Sequence, residues 1–316
     1  MSVPRNDALL VAIGGNATHP DDIRGTTEEQ EVIAARAANA ILPLIKSNNR
    51  LLITHGNGPV VGKILLRMML TRDAIPPMRL DVCVAHSQGG IGYILLQALE
   101  NAMRREGIER QAACVVTQVE VDAQDPAFQH PSKPIGPFFE ADEAREYERK
   151  GWRMMQDAGR GWRHCVASPE PRAVINLPIV STLLDAGALV IAGGGGGIPV
   201  VRDAKGESRG VPGVVDKDLT SALLARSLGI PDLLILTAIE RVAVDFGTPR
   251  QRLLGEVTLA EMKQYQRAGH FARGSMGPKV EAAIRHLESG GRRAIIGHLE
   301  HAAAVLAGRS GTHVVR

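Results

Sequence analysis

Leu189-Val190-Ile191-Ala192 runs directly into five consecutive glycines, 193–197, and further on Val214-Val215-Asp216-Lys217-Asp218 opens a helical pattern. An apolar run this short, stopped by glycine, reads as a strand delivering a loop at its carboxyl end. Glycines reach positive φ and place no Cβ in the way, so a ligand can lie directly on main-chain N–H groups, and anions suit such a loop. Leu219, Ala222 and Leu223 recur at helical spacing behind Asp218. That spacing makes Asp218 the expected N-cap and sets Asp216, Lys217 and Asp218 at the mouth of a helix. A solvated surface turn would carry the same three charges, and only their place after a strand and a glycine loop favours chemistry.

The same unit recurs along the chain. The apolar run 8–13 ends in Gly14-Gly15-Asn16, and a helix is expected over 27–46 with Thr26 and Glu29 as a capping box. The run 51–54 leads into His55-Gly56-Asn57-Gly58-Pro59 and a helix over 60–70. Ser87-Gln88-Gly89-Gly90 reads as a third glycine turn, entering a helix that ends near Arg105, and 112–121 reads as one strand. From 122 to 161 the composition changes, and Pro126, Pro131, Pro134 and Pro137 are spaced too closely for regular sheet or helix. We expect an inserted, protruding subdomain there, with Lys133 in it and a short helix over 142–150. Alternation then resumes: helix 178–186, strand 189–192, the helix after Asp216, strand 233–237, a hairpin over 239–246 and helix 259–268. Helix 280–287, strand 294–296, a helix to Leu306 and a strand over 312–315 complete it. Strands alternating with helices throughout predict one α/β domain over 1–316, with a largely parallel sheet and helices on both faces.

Only 3% of the 316 residues are aromatic, so the core must be aliphatic. Lysine and arginine number 37 against 34 aspartate and glutamate, a net charge of +3 that argues against a nucleic-acid partner and suits small anionic substrates. Cys83, Cys114 and Cys165 offer neither a Cys-x-x-Cys pair nor a disulfide framework. No apolar run approaches the ~18 residues of a membrane span, so we expect no signal peptide, no anchor and a cytoplasmic protein.

In an open parallel sheet such glycine turns gather at the carboxyl edge, where ligands bind. None matches the Walker pattern or Gly-x-Gly-x-x-Gly after the first strand. Lys133, Lys217 and Lys279 stand apart from solvated lysines such as Lys63, because each lies in a Pro/Gly-framed turn or at a helix entrance. Phosphoryl transfer asks a protein mainly to align partners and neutralise charge, which three fixed ammonium groups would do. There is no Gly-x-Ser-x-Gly elbow, and His19, His55, His86, His130 and His164 lack zinc spacing, so structural or surface roles are expected for them.

Taken together, Ala12-Ile-Gly-Gly-Asn-Ala17, Thr54-His-Gly-Asn-Gly-Pro59, Ser87-Gln-Gly-Gly-Ile-Gly-Tyr93, Thr117-Gln-Val-Glu-Val-Asp122, Lys133-Pro-Ile-Gly-Pro-Phe138, Gly161-Trp-Arg163, the run 215–225 and Gly274-Ser-Met-Gly-Pro-Lys279 resemble the carbamate kinases of the amino-acid-kinase superfamily. The resemblance implies a three-layer α/β/α sandwich with a small protruding subdomain, usually a homodimer. The implied reaction is reversible phosphoryl transfer between ATP and carbamate, giving ADP and carbamoyl phosphate, with Mg²⁺. It places Gly14, Gly15, Asn16, Gly56, Asn57 and Gly58 around the transferred group. Lys133, Lys217 and Lys279 supply positive charge, and Asp218 orients them. The nucleotide falls towards Gly194, Gly195, Asp216, Thr237, Val242, Met276 and Lys279, and no protein metal ligand is assigned. One departure is Ala238, where many relatives carry aspartate. Rival readings are a kinase for an acyl carboxylate or nucleotide phosphate, and a non-catalytic sensor. The first commonly has a lysine before Gly-Gly, where this chain has Val11-Ala12-Ile13, and the second would not need all three lysines. The resemblance leaves open whether arginine, purine or other nitrogen catabolism supplies the carbamoyl phosphate.

Overall fold

The computed structural model describes residues 8–15, 19–20, 23–47, 50–157, 160–272 and 274–316. Asn16 lies outside the described residues. The main sheet contains, in chain order, β1 (Ala8–Ile13), β2 (Arg50–His55), β3 (Ala112–Cys114), β4 (Leu189–Ile191), β5 (Asp232–Thr237), β6 (Glu256–Thr258), β7 (Arg293–His298) and β8 (Thr312–Val315). Their spatial order is β6-β8-β7-β5-β1-β2-β4-β3. From β7 to β3 all neighbours are parallel, whereas β8 is antiparallel to β7 and β6 follows β8.

Every residue of β1 is buried. Leu9, Val11 and Ile13 face one core, while Ala8, Leu10 and Ala12 face another, which is why the sequence runs apolar without alternating. The helices are α1 (Thr27–Ser47), α2 (Gly58–Thr71), α3 (Leu80–Arg105), α4 (Ala141–Arg149), α5 (Leu177–Asp185), α6 (Lys217–Leu228), α7 (Leu259–Arg267), α8 (Met276–Glu288) and α9 (Ala302–Leu306). The first core is closed by α1, α3 and α9 through Ile41, Leu95, Leu99 and Val305; the second by α5, α6, α7 and α8 through Leu184, Leu224, Met262 and Val280. The result is three layers.

Four local expectations are corrected. Ser87-Gln88-Gly89-Gly90 is no turn, because α3 begins at Leu80 and passes straight through it. Each interior glycine costs a helix about 1 kcal/mol, but Val84, Ser87, Gln88, Ile91, Leu95 and Leu99 form one continuous buried face and packing wins. The single strand over 112–121 is two strands in different sheets: β3 joins the main sheet, and Gln118–Glu120 pairs with Ile198–Arg202. The hairpin lies later, pairing Ala243–Val244 with Arg252–Leu253, because its turn needs the positive φ of Asp245 and Gly247. Finally, the proline-rich stretch does contain a strand, Lys133–Phe139. Pro134 and Pro137 are tolerated because it is the edge of a three-stranded sheet, with Trp162–Val166 in the middle and Met154–Gln156 beyond, and its register shifts between Ile135 and Phe139.

That small sheet, with α4, holds a separate aromatic cluster of Phe139, Tyr147, Trp152 and Trp162, which includes both tryptophans of the chain. It is seated on α2 through two glycines. A Cβ on Gly62 would lie 2.1 Å from Gly136 Cα, so no larger residue permits this approach. Beside the contact, Ile135 is fully buried among Val61, Val84, Val166 and Val214.

Candidate active site

The carboxyl edge gathers the ends of β1, β2, β4 and β5. The amides of Gly14 and Gly56 continue the ladder, donating to Leu236 O (2.8 Å) and Ile13 O (3.0 Å). They are therefore not ligand donors, contrary to the expectation that these glycine turns bind through their N–H groups. Gly56 is required for a different reason: a Cβ there would lie 2.6 Å from Gly15 N. Gly58 differs, because a Cβ on it would meet nothing within 4 Å. It is the first residue of α2, whose N-cap Asn57 makes no capping bond and instead donates through Nδ2 to Ser87 Oγ (2.8 Å). The N-cap side chain thus leaves this first turn uncapped, although Pro59 within it carries no N–H, and an uncapped helix N-terminus suits an anion.

The glycine run after β4 lies on these loops. At Gly195 and Gly196, with φ of 63° and 89°, a Cβ would lie 2.2 Å from Asn57 Nδ2 and 2.3 Å from Val215 O respectively. The run thus binds the β2 loop to the segment entering α6. Buried hydroxyls and an amide fix it: Thr117 Oγ1 accepts from Gly193 N (2.8 Å), Thr220 Oγ1 donates to Gly196 O (2.8 Å), and Gln88 exchanges hydrogen bonds with the Thr117 backbone. Thr54 Oγ1 and Ser221 Oγ are 2.7 Å apart. These side chains fell inside the quoted motifs, but none was assigned a role, since serine, threonine and glutamine inside helical or strand patterns look like solvated positions. The available signal was their adjacency to glycine motifs.

Asp216, not Asp218, caps α6. Its backbone is extended and its Oδ1 accepts from Asp218 N (2.9 Å) and Leu219 N (3.4 Å). The apolar spacing behind the cap fits either residue, so periodicity alone misplaced it by two positions. Asp218, inside the first turn, is freed for side-chain pairing. Its Oδ1 accepts from Lys217 Nζ and its Oδ2 from Lys279 Nζ (3.3 Å), which comes from the first turn of α8. Lys133 Nζ, arriving on the edge strand of the small sheet, donates to Asp216 Oδ2 (2.8 Å). Lys133, Lys217 and Lys279 thus converge from three separate segments on two nearly adjacent carboxylates.

Electrostatics follow from this packing. Burial would push the Asp216 carboxyl up, but Lys133, aided by Lys279 and Lys217, outweighs it and holds the group well below the usual range. Lys217, 6% exposed, is lowered by burial and by Lys279, with Asp218 opposing. Lys279 is desolvated as well, yet Asp218 and Asp216 raise it. His55, fully buried, is pushed down to about 4 by burial first, with the Gly56 carbonyl opposing and Lys217 adding to the shift. It is a neutral residue packed under Gly194, in line with the structural role expected of it.

Of the positions expected near the nucleotide, Gly194 and Gly195 lie against His55 and Asn57, Thr237 ends β5 beside Gly14, and Met276 opens α8 one turn before Lys279. Val242 is different: its side chain is wholly in the core and its amide donates to Thr312 Oγ1 (2.9 Å), so neither is available to a ligand.

A model of the amino acid kinase family matches residues 7–298. The carbamate kinase of Thermococcus kodakarensis is 45% identical over 312 residues, 98% of this chain and 99% of that protein. The chain belongs to the carbamate kinases of the amino acid kinase family. Its architecture is theirs: carbamate kinase from Giardia lamblia bound to citric acid aligns with a TM-score of 0.93 at 38% identity, covering 98% of each chain. The same enzyme bound to AMP-PNP gives 0.88 at 38% identity, again over 98% of each chain. Like other carbamate kinases this chain is a phosphotransferase with a nucleotide substrate, and the three-layer sandwich expected from sequence is the family's fold.

Proposed function

We propose that the chain transfers a phosphoryl group between ATP and carbamate, and in reverse from carbamoyl phosphate to ADP. The observation that supports this reading best is the set of three lysines fixed on Asp216 and Asp218 at the carboxyl edge. Three ammonium groups against two carboxylates leave a net positive charge in this cluster. In the forward direction the bond from the γ-phosphorus to the bridging oxygen of ADP breaks as a bond to a carbamate oxygen forms. Carbamate already carries the negative oxygen that attacks, so no general base is needed, and the neutral, buried His55 fits a site without one. Lys133, Lys217 and Lys279 would neutralise charge spread over the moving phosphoryl oxygens, Asp218 and Asp216 would hold those ammonium groups in place, and the Gly58 turn would receive the phosphate.

Magnesium accompanies the nucleotide in this reading. The carboxylates of Asp216 and Asp218 are already bound to ammonium and amide groups. In this reading the ion rides on the nucleotide's phosphates, as magnesium commonly does, and no step is derived from it.

Among the described residues no helix is long and apolar enough to cross a membrane. We place the enzyme in the cytoplasm, fed by carbamoyl phosphate from arginine or related nitrogen catabolism, and as a homodimer formed through the main sandwich rather than the small sheet. Exposed Val32 on α1 and Tyr93 on α3 favour that face. Sedimentation at micromolar concentration should give the mass of two chains; a single 33.8 kDa species would remove the dimer. The reaction is tested by mixing the protein with Mg-ADP and carbamoyl phosphate and measuring ATP. No ATP above the uncatalysed background, together with turnover of another acyl phosphate, would overturn the carbamate assignment.

A further inference from the structure

Glu240, His298 and His301 form a cluster that the phosphoryl-transfer chemistry does not use. One ligand atom from each lies within 4.8 Å of the other two. His298 is the last residue of β7, level with Thr237 in the neighbouring strand. His301 follows on a single 3₁₀ turn, Leu299–His301, so the backbone fixes two imidazoles three residues apart, with ring centroids 5.4 Å from one another. Glu240 comes from the segment after β5, and its Oε1 is 2.9 Å from His301 Nδ1. From this geometry we propose that the cluster is a binding site for a borderline divalent transition ion of the zinc type, separate from the magnesium of the nucleotide.

Tetrahedral zinc with nitrogen and carboxylate ligands needs donor atoms about 3.4 Å apart. The pair at 2.9 Å is already close to that. Side chains of Glu240 and His301, 51% and 53% exposed, are free to adjust for the third. The protonation states also fit. His298 Nδ1 accepts a long hydrogen bond from Glu300 N (3.3 Å), so its lone pair is on Nδ1 and coordination forfeits only that contact. Between His301 Nδ1 and Glu240 Oε1 the ion would replace a shared proton, which is released. Ser310 Oγ donates to the other carboxylate oxygen of Glu240 at 3.2 Å, the kind of support that orients a metal-binding carboxylate. Two imidazoles with one carboxylate select zinc-like ions over magnesium, and a water would complete the four. Bound there, the ion would tie the segment carrying Ala238 to the end of β7.

The test is zinc binding to the full-length protein, stripped with chelator and dialysed against zinc alone in magnesium-containing buffer. One equivalent should bind per chain. Affinity should fall at least ~10-fold in His301→Ala and in His298→Ala, and about 10-fold in Ser310→Ala, whose hydroxyl only orients Glu240. Cobalt in place of zinc should give the intense visible absorption of a four-coordinate ion, lost in His301→Ala. Absence of binding at micromolar zinc, or equal binding by wild type and both histidine variants, would overturn the site. Because His301 is half exposed, circular dichroism should show the variants folded.

Discussion

Asp218 is shared by two ammonium groups, so removing its charge strands both at once. Asp218→Asn should lower kcat in the ATP-forming direction by about 10²-fold, as expected when preorganised charge is disordered, with ADP affinity nearly kept. Lys133→Ala should cost about 10²-fold by the same measure, and Lys133→Arg should recover only part, since a planar guanidinium does not reproduce a compact charge on Asp216. Steady-state kinetics with separate nucleotide titrations decide both; turnover near wild type in Lys133→Ala would make it a bystander. The two glycines of the β2 loop should separate. Gly56→Ala must displace Gly15 and should lower the melting temperature, whereas Gly58→Ala has room and should fold normally while losing turnover to a methyl group where we propose the phosphate binds. Equal loss of activity and stability in Gly58→Ala would show that it serves the fold alone. His55 gives a pH signature. Its folded value of about 4 lies below the ordinary 6.5, so between those values the unfolded chain takes up a proton that the folded one refuses. The neutral imidazole's contribution is therefore present above about 6.5 and lost as pH falls, by roughly 3 kcal/mol at pH 4. Urea midpoints from pH 7 to 4 should decline less steeply in His55→Asn; an unchanged slope would show that His55 is not buried neutral.

Lys133 is only as well placed as the strand that carries it. The strand's seat is the close approach of Gly62 to Gly136, and Gly62→Ala would force α2 and the small sheet apart. Turnover should fall at least ~10-fold while ADP binding changes little, because Lys217, Lys279 and the glycine loops belong to the main sandwich. Turnover at the wild-type level would mean that the small sheet does not position the lysine. Legibility at this scale followed how local the decisive force was. Strand β1 and helix α1 could be read directly, since a doubly buried strand and a capping box declare themselves over a few residues. The lysines and glycine loops were legible as motifs. The start of α3 was not, because packing along Val84, Ser87, Gln88 and Ile91 overrode two glycines that locally signal a turn. Pro134 and Pro137 misled in the same way, since nothing nearby in sequence says that their strand is an edge. The cap of α6 shifted because a side chain's choice of amide is not written in periodicity.

The molecule as a whole is two large aliphatic cores on either face of one sheet, with a small aromatic cluster beside them. So few aromatics in the chain leave the sandwich without tryptophan. Trp152 and Trp162 both sit in the satellite, Trp152 stacked on Tyr147 with ring centroids 4.9 Å apart. Intrinsic tryptophan emission is therefore an optical reporter of the Lys133-bearing piece alone, while far-ultraviolet circular dichroism is dominated by the sandwich helices. The satellite has a few buried side chains against dozens in the two cores, so it should open first. In a urea titration the emission midpoint should fall below the dichroism midpoint; coincident transitions would make the two parts one cooperative unit. The same unlabelled fluorophores would register, in a stopped-flow mixing experiment with ADP, any change in how the lysine's carrier sits, with no dye attached and no residue replaced.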